Sequence, residues 1–339
     1  MLTYAFWNNK GGTGKTSLAF QTICRYADRN PSKRILVVDV CPQANLSELF
    51  LGGLTNFGSK NLLERQGLMP RCSVGGYFQL RLPSPFAAPD FSVQDFLTKP
   101  AEYNPTIPQN VDLFCGDPLL ELQANAINTL SNAQIPGIDP WIEIIDWIKD
   151  ALDQVKDEYD VAFIDANPSF SIYTQIALST TNLLILPVMA DDSSRRAIQN
   201  AFSLIYGLKL PSEVYSKYAF ANKLEQSNRS LPQVHIVAKN RITQYMGPAS
   251  AYAAVLRSIE QDVASLINSN HEIFTFPEVE QGIVSIRDFQ TTGVVAFARG
   301  CPFYRLPSGK LDIGGRRVQV QEKYKNDCIQ AIDALVNML

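Results

Sequence analysis

Apolar runs punctuate the chain at positions 2–7, 34–40, 111–115, 160–165, 182–188, 234–239 and 272–276. Near-continuous apolar character over so few residues is what strands buried on both faces of a parallel sheet require. Helix-spaced apolar positions fill most of the intervals. The alternation predicts an α/β fold, a doubly wound and mostly parallel sheet flanked by helices, whose ligands bind beyond the carboxyl ends of the strands. The pattern lapses between 52 and 110, where prolines at 70, 83, 85, 89, 100, 105 and 108 crowd too densely for regular helices. This segment reads as an irregular insertion, either functional or packing cover for the sheet, within one elaborated domain spanning 1–339.

Between the first apolar run and the helical pattern that follows lies Asn8-Asn9-Lys10-Gly11-Gly12-Thr13-Gly14-Lys15-Thr16-Ser17. A loop of this kind between a strand and a helix N-terminus cradles phosphate. Glycines let backbone N–H groups close around the oxygens, and the helix end supplies partial positive charge. The ordinary pattern is G-x4-G-K-[ST], and Asn9 stands where its first glycine belongs. Lys15 then reaches the β- and γ-phosphates, and the Thr16 hydroxyl binds Mg²⁺. Lys10 has no role in an ordinary single-chain P-loop and is free to point outward.

These residues resemble the ParA/MinD branch of P-loop ATPases, whose deviant signature K-G-G-x-G-K-[ST] is matched from Lys10 to Thr16. Two further segments are similar to that family in the same order. Val37-Val38-Asp39-Val40-Cys41-Pro42-Gln43-Ala44-Asn45-Leu46-Ser47 resembles its D-x-D-P-Q-x-N stretch, and 160–169, with Asp165, resembles its Walker B strand. The resemblance implies an ATP-sandwich homodimer in which Lys10 crosses to the partner's nucleotide. Gly11, Gly12, Thr13, Gly14, Lys15, Thr16 and Ser17 would wrap ATP, while Thr16, Asp39 and Asp165 organise Mg²⁺. It also places Asn240, after the 234–239 strand, at the base-contacting asparagine position.

One departure stands out. The family's second acid of D-x-D, assigned to positioning the attacking water, is Cys41 here. A thiol of ordinary pKa is only about 3% ionised at neutral pH and is a poor stand-in for a carboxylate. Either Asp39 carries that duty, or hydrolysis is slow and the protein lingers as an ATP-bound switch, or Cys41 only fills a small buried space.

Charge is unevenly spread in a chain of net -3. Residues 193–247 carry eight Lys/Arg against two Asp/Glu, a basic island that includes Arg195 and Arg196 just after a helix start at Asp191-Asp192-Ser193-Ser194. Cations in a first helical turn oppose the macrodipole, so stability alone would not choose them. A second basic cluster includes Arg299, Arg316 and Arg317, in the C-terminal region where the family places its DNA-contacting cations. Dimerisation would present two copies of any such patch, enough for non-specific phosphate binding by a protein whose monomer, at pI 5.6, binds DNA poorly.

The six cysteines form no C-x-x-C pair, which points away from zinc, disulfides and an iron–sulfur cluster. No apolar run is long enough to span a membrane, and the phosphate-loop strand begins where a signal peptide or a helix-turn-helix would stand. A cytoplasmic location, with nucleoid association through DNA, follows as the expectation. The terminal stretch with Cys328, Ile329, Ile332, Leu335, Val336 and Leu339 at helical spacing reads as a helix packed on the sheet rather than a membrane anchor of the MinD type.

The expected function is therefore a ParA-like ATPase, slow and partner-stimulated, that partitions or positions DNA or another cargo with a ParB-like adaptor. Its rival is a nucleotide-gated protein-binding switch with little hydrolysis, holding its partner through 52–110. A P-loop metabolic ligase is a third possibility, with little use for Lys10.

Overall fold

The computed structural model describes residues 1–243 and 251–339. Its sheet has the strand order β3-β4-β2-β5-β1-β6-β7-β8, with β1 Leu2–Phe6, β2 Ile35–Val40, β3 Leu97–Thr98, β4 Val111–Phe114, β5 Val161–Ala166, β6 Leu183–Val188, β7 Gln233–Ile242 and β8 Ile283–Arg287. Every pairing is parallel except β3 with β4. The doubly wound architecture expected from the apolar runs is present.

Period-two alternation sends side chains to two cores. Leu36, Val38 and Val40 face one, with Ala5 and Trp7. Ile35 and Val37 face the other, with Tyr4 and Phe6. Helices cover both faces. α1 (Lys15–Arg29) and α2 (Asn45–Phe50) lie on the second. The first is covered by α5 (Leu119–Ser131), α6 (Pro140–Ile145), α7 (Trp147–Val155), α8 (Ile172–Ser179), α9 (Asp192–Tyr206) and α11 (Phe220–Gln226). The short α10 (Glu213–Ser216) buries nothing. α12 (Ala251–Ser269) and α13 (Val279–Gly282) lead into β8, and α14 (Gln290–Ala298) and a β9–β10 hairpin (Gly309–Ile313, Arg316–Val320) follow it.

Two expectations fail. The 52–110 segment contains regular helices, α3 (Gly58–Gln66) and α4 (Val74–Arg81). The prolines sit outside both, at their borders and beyond, so proline density marked the ends of elements and not their absence. Positions 272–276 do not form a strand. They make a 3₁₀ turn, His271–Ile273, and a single bridge from Phe274 to Val234. The edge strand is instead β8, Ile-Val-Ser-Ile-Arg, whose alternation with polar residues hid it from a search for continuous apolar runs.

The C-terminal helix α15 (Glu322–Val336) buries Cys328, Ile332, Leu335 and Val336 in the second core and packs along α1. Arg25 of α1 and Asp333 of α15 fasten the two by a 2.7 Å ion pair. Its apolar face is thus occupied within the chain, and no helix among the described residues is long and apolar enough to cross a membrane.

Candidate functional site

The loop after β1 turns at Gly12 and Gly14, with φ of +77° and +76°, conformations that glycine reaches without steric cost. Space in front of Gly11 and Gly12 is open, with no heavy atom within 4 Å of where a Cβ would sit. α1 begins at Lys15 directly behind this loop, so its first N–H groups face the cradle. Ser17 is half-buried in the same first turn.

Strand register assembles the acids. Asp165 of β5 lies beside Phe6 of β1 on one side and Asp39 of β2 on the other. The Lys15 ammonium donates to one Asp165 oxygen at 2.7 Å and the Thr16 hydroxyl to the other at 2.8 Å. Lys15, Asp39 and Asp165 are all buried, so the Lys15 ammonium compensates the charge on Asp165, which would otherwise be costly to hold out of water.

Asp39 is anchored on both oxygens. Oδ1 accepts the Cys41 N–H at 3.2 Å, and Oδ2 accepts the Ser47 N–H at 2.9 Å and its hydroxyl at 2.7 Å. Burial, then Asp165, holds the Asp39 carboxyl well above the usual carboxylate range, against the pull of Ser47 and Lys15. A bound cation would reverse that logic. Cys41 is buried beside these acids, and its thiol is pushed up to about 12, first by burial and then by Asp39 and Asp165. It is neutral at physiological pH and cannot act as a base.

Lys10 does not point freely outward. Its ammonium lies 2.7 Å from both oxygens of Asp191 and 3.1 Å from the Ser194 hydroxyl. Asp191 is the N-cap of α9, accepting the Ser194 N–H at 2.7 Å. Burial raises its carboxyl pKa, but Lys10, Ser193 and Ser194 outweigh that and lower it to about 2. A cavity of about 370 Å³ opens beside Lys10, lined by Asn9, Ser193, Arg196 and Asn200 among others.

Asn240, buried near the end of β7, donates to the Thr13 carbonyl at 2.8 Å, and a Cβ on Gly14 would come within 2.6 Å of its amide. The expected base-contacting position is therefore in direct contact with the phosphate loop. The basic candidates are dispersed. Arg195 sits 3.6 Å from Asp262 of α12, and Arg196 borders the cavity by Lys10. Arg316 and Arg317 are exposed on the β9–β10 hairpin, to which Arg299 is joined by a bond to the Asp312 carbonyl.

These residues fit a magnesium nucleotide. Thr13 Oγ1 and Asn9 Oδ1 are buried polar atoms in the loop without partners, as a phosphate cradle requires of groups that bond only to ligand. Thr16, Asp39 and Asp165 offer hard oxygen donors, which suit Mg²⁺ held jointly with substrate phosphates rather than by an all-protein cage.

Sequence reasoning named the loop and both acids but missed Asp191, Ser194 and the anchoring role of Ser47. Asp191 was visible as a helix cap. Its contact with Lys10, 181 positions away, had no local signature.

Comparison with known proteins agrees with this geometry. The family model described as an AAA domain matches residues 1–212. A virulence plasmid ParA family protein, pGP5-D, from Chlamydia psittaci is 26% identical over 204 residues, 59% of this chain and 61% of that protein. The match thus spans about three fifths of that relative's length. Among solved structures, the complex of a Cyanothece McdA variant with ATP superposes with a TM-score of 0.60 at 15% identity, covering 100% of this chain and 96% of that one. A cobyrinic acid a,c-diamide synthase from Mycobacterium smegmatis, with bound ADP and magnesium, gives 0.53 at 16% identity, covering 88% and 91%. The last two share the fold, which by itself does not fix the reaction. With its signature loop, paired acids and matched family model, the chain belongs to the ParA/MinD family of P-loop ATPases.

Proposed function

We propose that this protein is an ATPase that dimerises around ATP and Mg²⁺, binds DNA non-specifically as a dimer, and partitions or positions DNA or another cargo together with an adaptor. The observation that carries the reading is Lys10. Its ammonium, 24% exposed, is paired with Asp191 and Ser194 at the start of α9, and in a sandwich dimer it would leave them for the partner's nucleotide. A metabolic ligase on this fold needs no such lysine, whereas a sandwich dimer does.

Within a subunit, Lys15 would release Asp165 to bind the β- and γ-phosphates. Thr16, Asp165 and Asp39 would hold the metal, directly or through water. Bound magnesium supplies neutralisation of charge on the phosphate oxygens. The remaining contribution of the chain is positioning: backbone N–H groups of Gly11 to Thr16 around the phosphates, Asn240 near the base, and Lys10 supplied to the partner's site.

A second reading has its own support. Cys41 is too buried and too weak an acid to orient water as a carboxylate would, and Asp39 is already committed on both oxygens. Hydrolysis would then be slow, and the ATP-bound form would act as a switch. The insertion would hold the protein partner, since Leu54, Phe57, Leu63, Leu68 and Met69 are all exposed there.

Light scattering with ATP, ADP and no nucleotide tests dimerisation, with Lys10→Ala as the variant expected to stay monomeric. Phosphate release with and without DNA, set against Lys15→Ala, separates the two readings. No turnover above that variant removes the enzyme reading. A Lys10→Ala protein that dimerises normally on ATP removes the sandwich.

A further inference from the structure

Asp39 is the end of a buried hydrogen-bond series that begins outside the phosphate loop. Gln66, the last residue of α3 and 4% exposed, donates from Nε2 to the Gly116 carbonyl at 2.9 Å. The Gly116 N–H donates to the Ser47 hydroxyl at 2.8 Å, and that hydroxyl donates to Asp39 Oδ2 at 2.7 Å. The two bonds at Gly116 engage its two flanking peptide groups, so Gln66 and Ser47 together fix this residue's orientation from opposite sides.

Gly116 is wedged against the acid. A Cβ there would lie 2.8 Å from the Cys41 carbonyl oxygen and 2.9 Å from both Ala44 Cβ and Asp39 Cγ. Real Cβ atoms do not approach so closely, so the backbone itself packs on the carboxylate, and displacement of Gly116 displaces Asp39 or strips it of its hydroxyl donor. The Ser47 hydroxyl and Asp39 are both fully buried, so an unmade bond there would leave both groups without water.

We propose that Ser47 and Gln66 are positioning residues for the metal site: acting through Gly116, they set the orientation of Asp39, so that α3 of the insertion governs Mg²⁺ affinity and turnover. The proposal rests on the ATPase reading above for its metal and its reaction. Gln66 is not part of the phosphate loop or of either acidic strand, and nothing local in its sequence marks it.

The test uses the full chain with Ser47→Ala, Ser47→Thr and Gln66→Met, the last keeping side-chain length while removing the donor. Tyr206→Phe is the comparison, because it deletes a single buried bond to the Pro232 carbonyl (2.8 Å) at the amino-terminal edge of the sheet, away from the site. Two quantities are read: the Mg²⁺ concentration that half-saturates binding of a fluorescent ATP analogue, and steady-state phosphate release.

Ser47→Ala and Gln66→Met should each raise the Mg²⁺ requirement about fivefold and lower kcat by a similar factor with KM for ATP at saturating Mg²⁺ unchanged, the size expected for one buried hydrogen bond. Ser47→Thr should restore both to within about twofold. The double variant should be little worse than either single one, because the two act in one series. Tyr206→Phe should lower only the thermal midpoint.

Gln66→Met with wild-type Mg²⁺ requirement and kcat, losing only thermal stability, overturns the proposal. So does a wild-type protein whose nucleotide binding ignores Mg²⁺. Failure of the ATPase reading shows separately, as wild-type phosphate release no higher than Lys15→Ala, and the Mg²⁺ titration then decides the positioning role alone.

Discussion

Lys10 and Asp191 form an ion pair at 2.7 Å inside one subunit, so the signature lysine is held by the cap of α9 before any partner arrives. A cation at a helix N-terminus is opposed by the macrodipole, and the Asp191 carboxylate is what makes the position tolerable. Reaching a neighbouring nucleotide therefore requires Lys10 to leave Asp191 and Ser194.

Asp191→Asn should ease that departure. Asparagine caps helices as well as aspartate does, so α9 keeps its start while the charge on the latch is removed. The pair is 24% and 40% exposed, which limits its worth to about 1 kcal/mol or less. Two such pairs are given up per dimer, so ATP-dependent dimerisation should tighten by up to about thirtyfold, read by sedimentation equilibrium with a non-hydrolysable ATP analogue. A dimer no tighter than wild type would mean that Lys10 is not restrained by Asp191.

The same pair has a defined pH response. Asp191 carries a carboxyl pKa lowered to about 2, below its unfolded value of about 3.9. A depressed acid contributes stability that is fully present above the unfolded pKa and is lost as pH falls through the folded one. The difference in thermal midpoint between wild type and Asp191→Asn should stay constant from pH 8 to 5 and close only below about pH 4. A gap that changes between pH 8 and 5 would assign the titration to another group.

The phosphate loop was legible because its chemistry is local. Gly12 and Gly14 are required by positive φ, and Lys15 and Thr16 follow within the same turn. Asp39 and Asp165 were legible for a related reason, since each ends an apolar strand and the register then sets them side by side. What escaped was non-local. Ser47 and Gly116 meet only after β4 pairs with β2, 69 positions apart in sequence. The error at 272–276 has a different origin: Phe274 and Phe276 are apolar because they pack in the core with Phe202, not because they belong to a strand.

Cys41 is predicted to be dispensable for chemistry. With its thiol pushed up to about 12, it holds its proton throughout the physiological range, so Cys41→Ser should leave the rate of phosphate release within about twofold. Cys41→Asp installs the acid that the family pattern has at this position, and with Mg²⁺ present to compensate it, turnover should rise by about tenfold or more. Without Mg²⁺ the same variant should be less stable than wild type, because a third carboxylate joins Asp39 and Asp165 in a buried site. A Cys41→Ser protein that loses most of its activity would give the thiol a role that its burial argues against.

DNA retention should depend more on the hairpin than on α9. Gly314 and Gly315, both at positive φ, close β9 and β10 with a two-residue turn that projects Arg316 and Arg317 into solvent. Neither arginine has an acidic partner within salt-bridge distance among the described residues, whereas Arg195 lies near Asp262. A free cation neutralises phosphate at full effect, and one that already has a counter-charge gains less by moving. Arg316→Ala with Arg317→Ala should weaken binding of the ATP-bound protein to a random-sequence duplex and flatten the log–log salt slope by about 1.8 per subunit, the loss of two phosphate contacts. Arg195→Ala should change the slope by less than half of that. Filter binding from low to high salt reads both, and an unchanged slope in the hairpin variant, with Arg195→Ala abolishing retention, would move the nucleic-acid surface to α9.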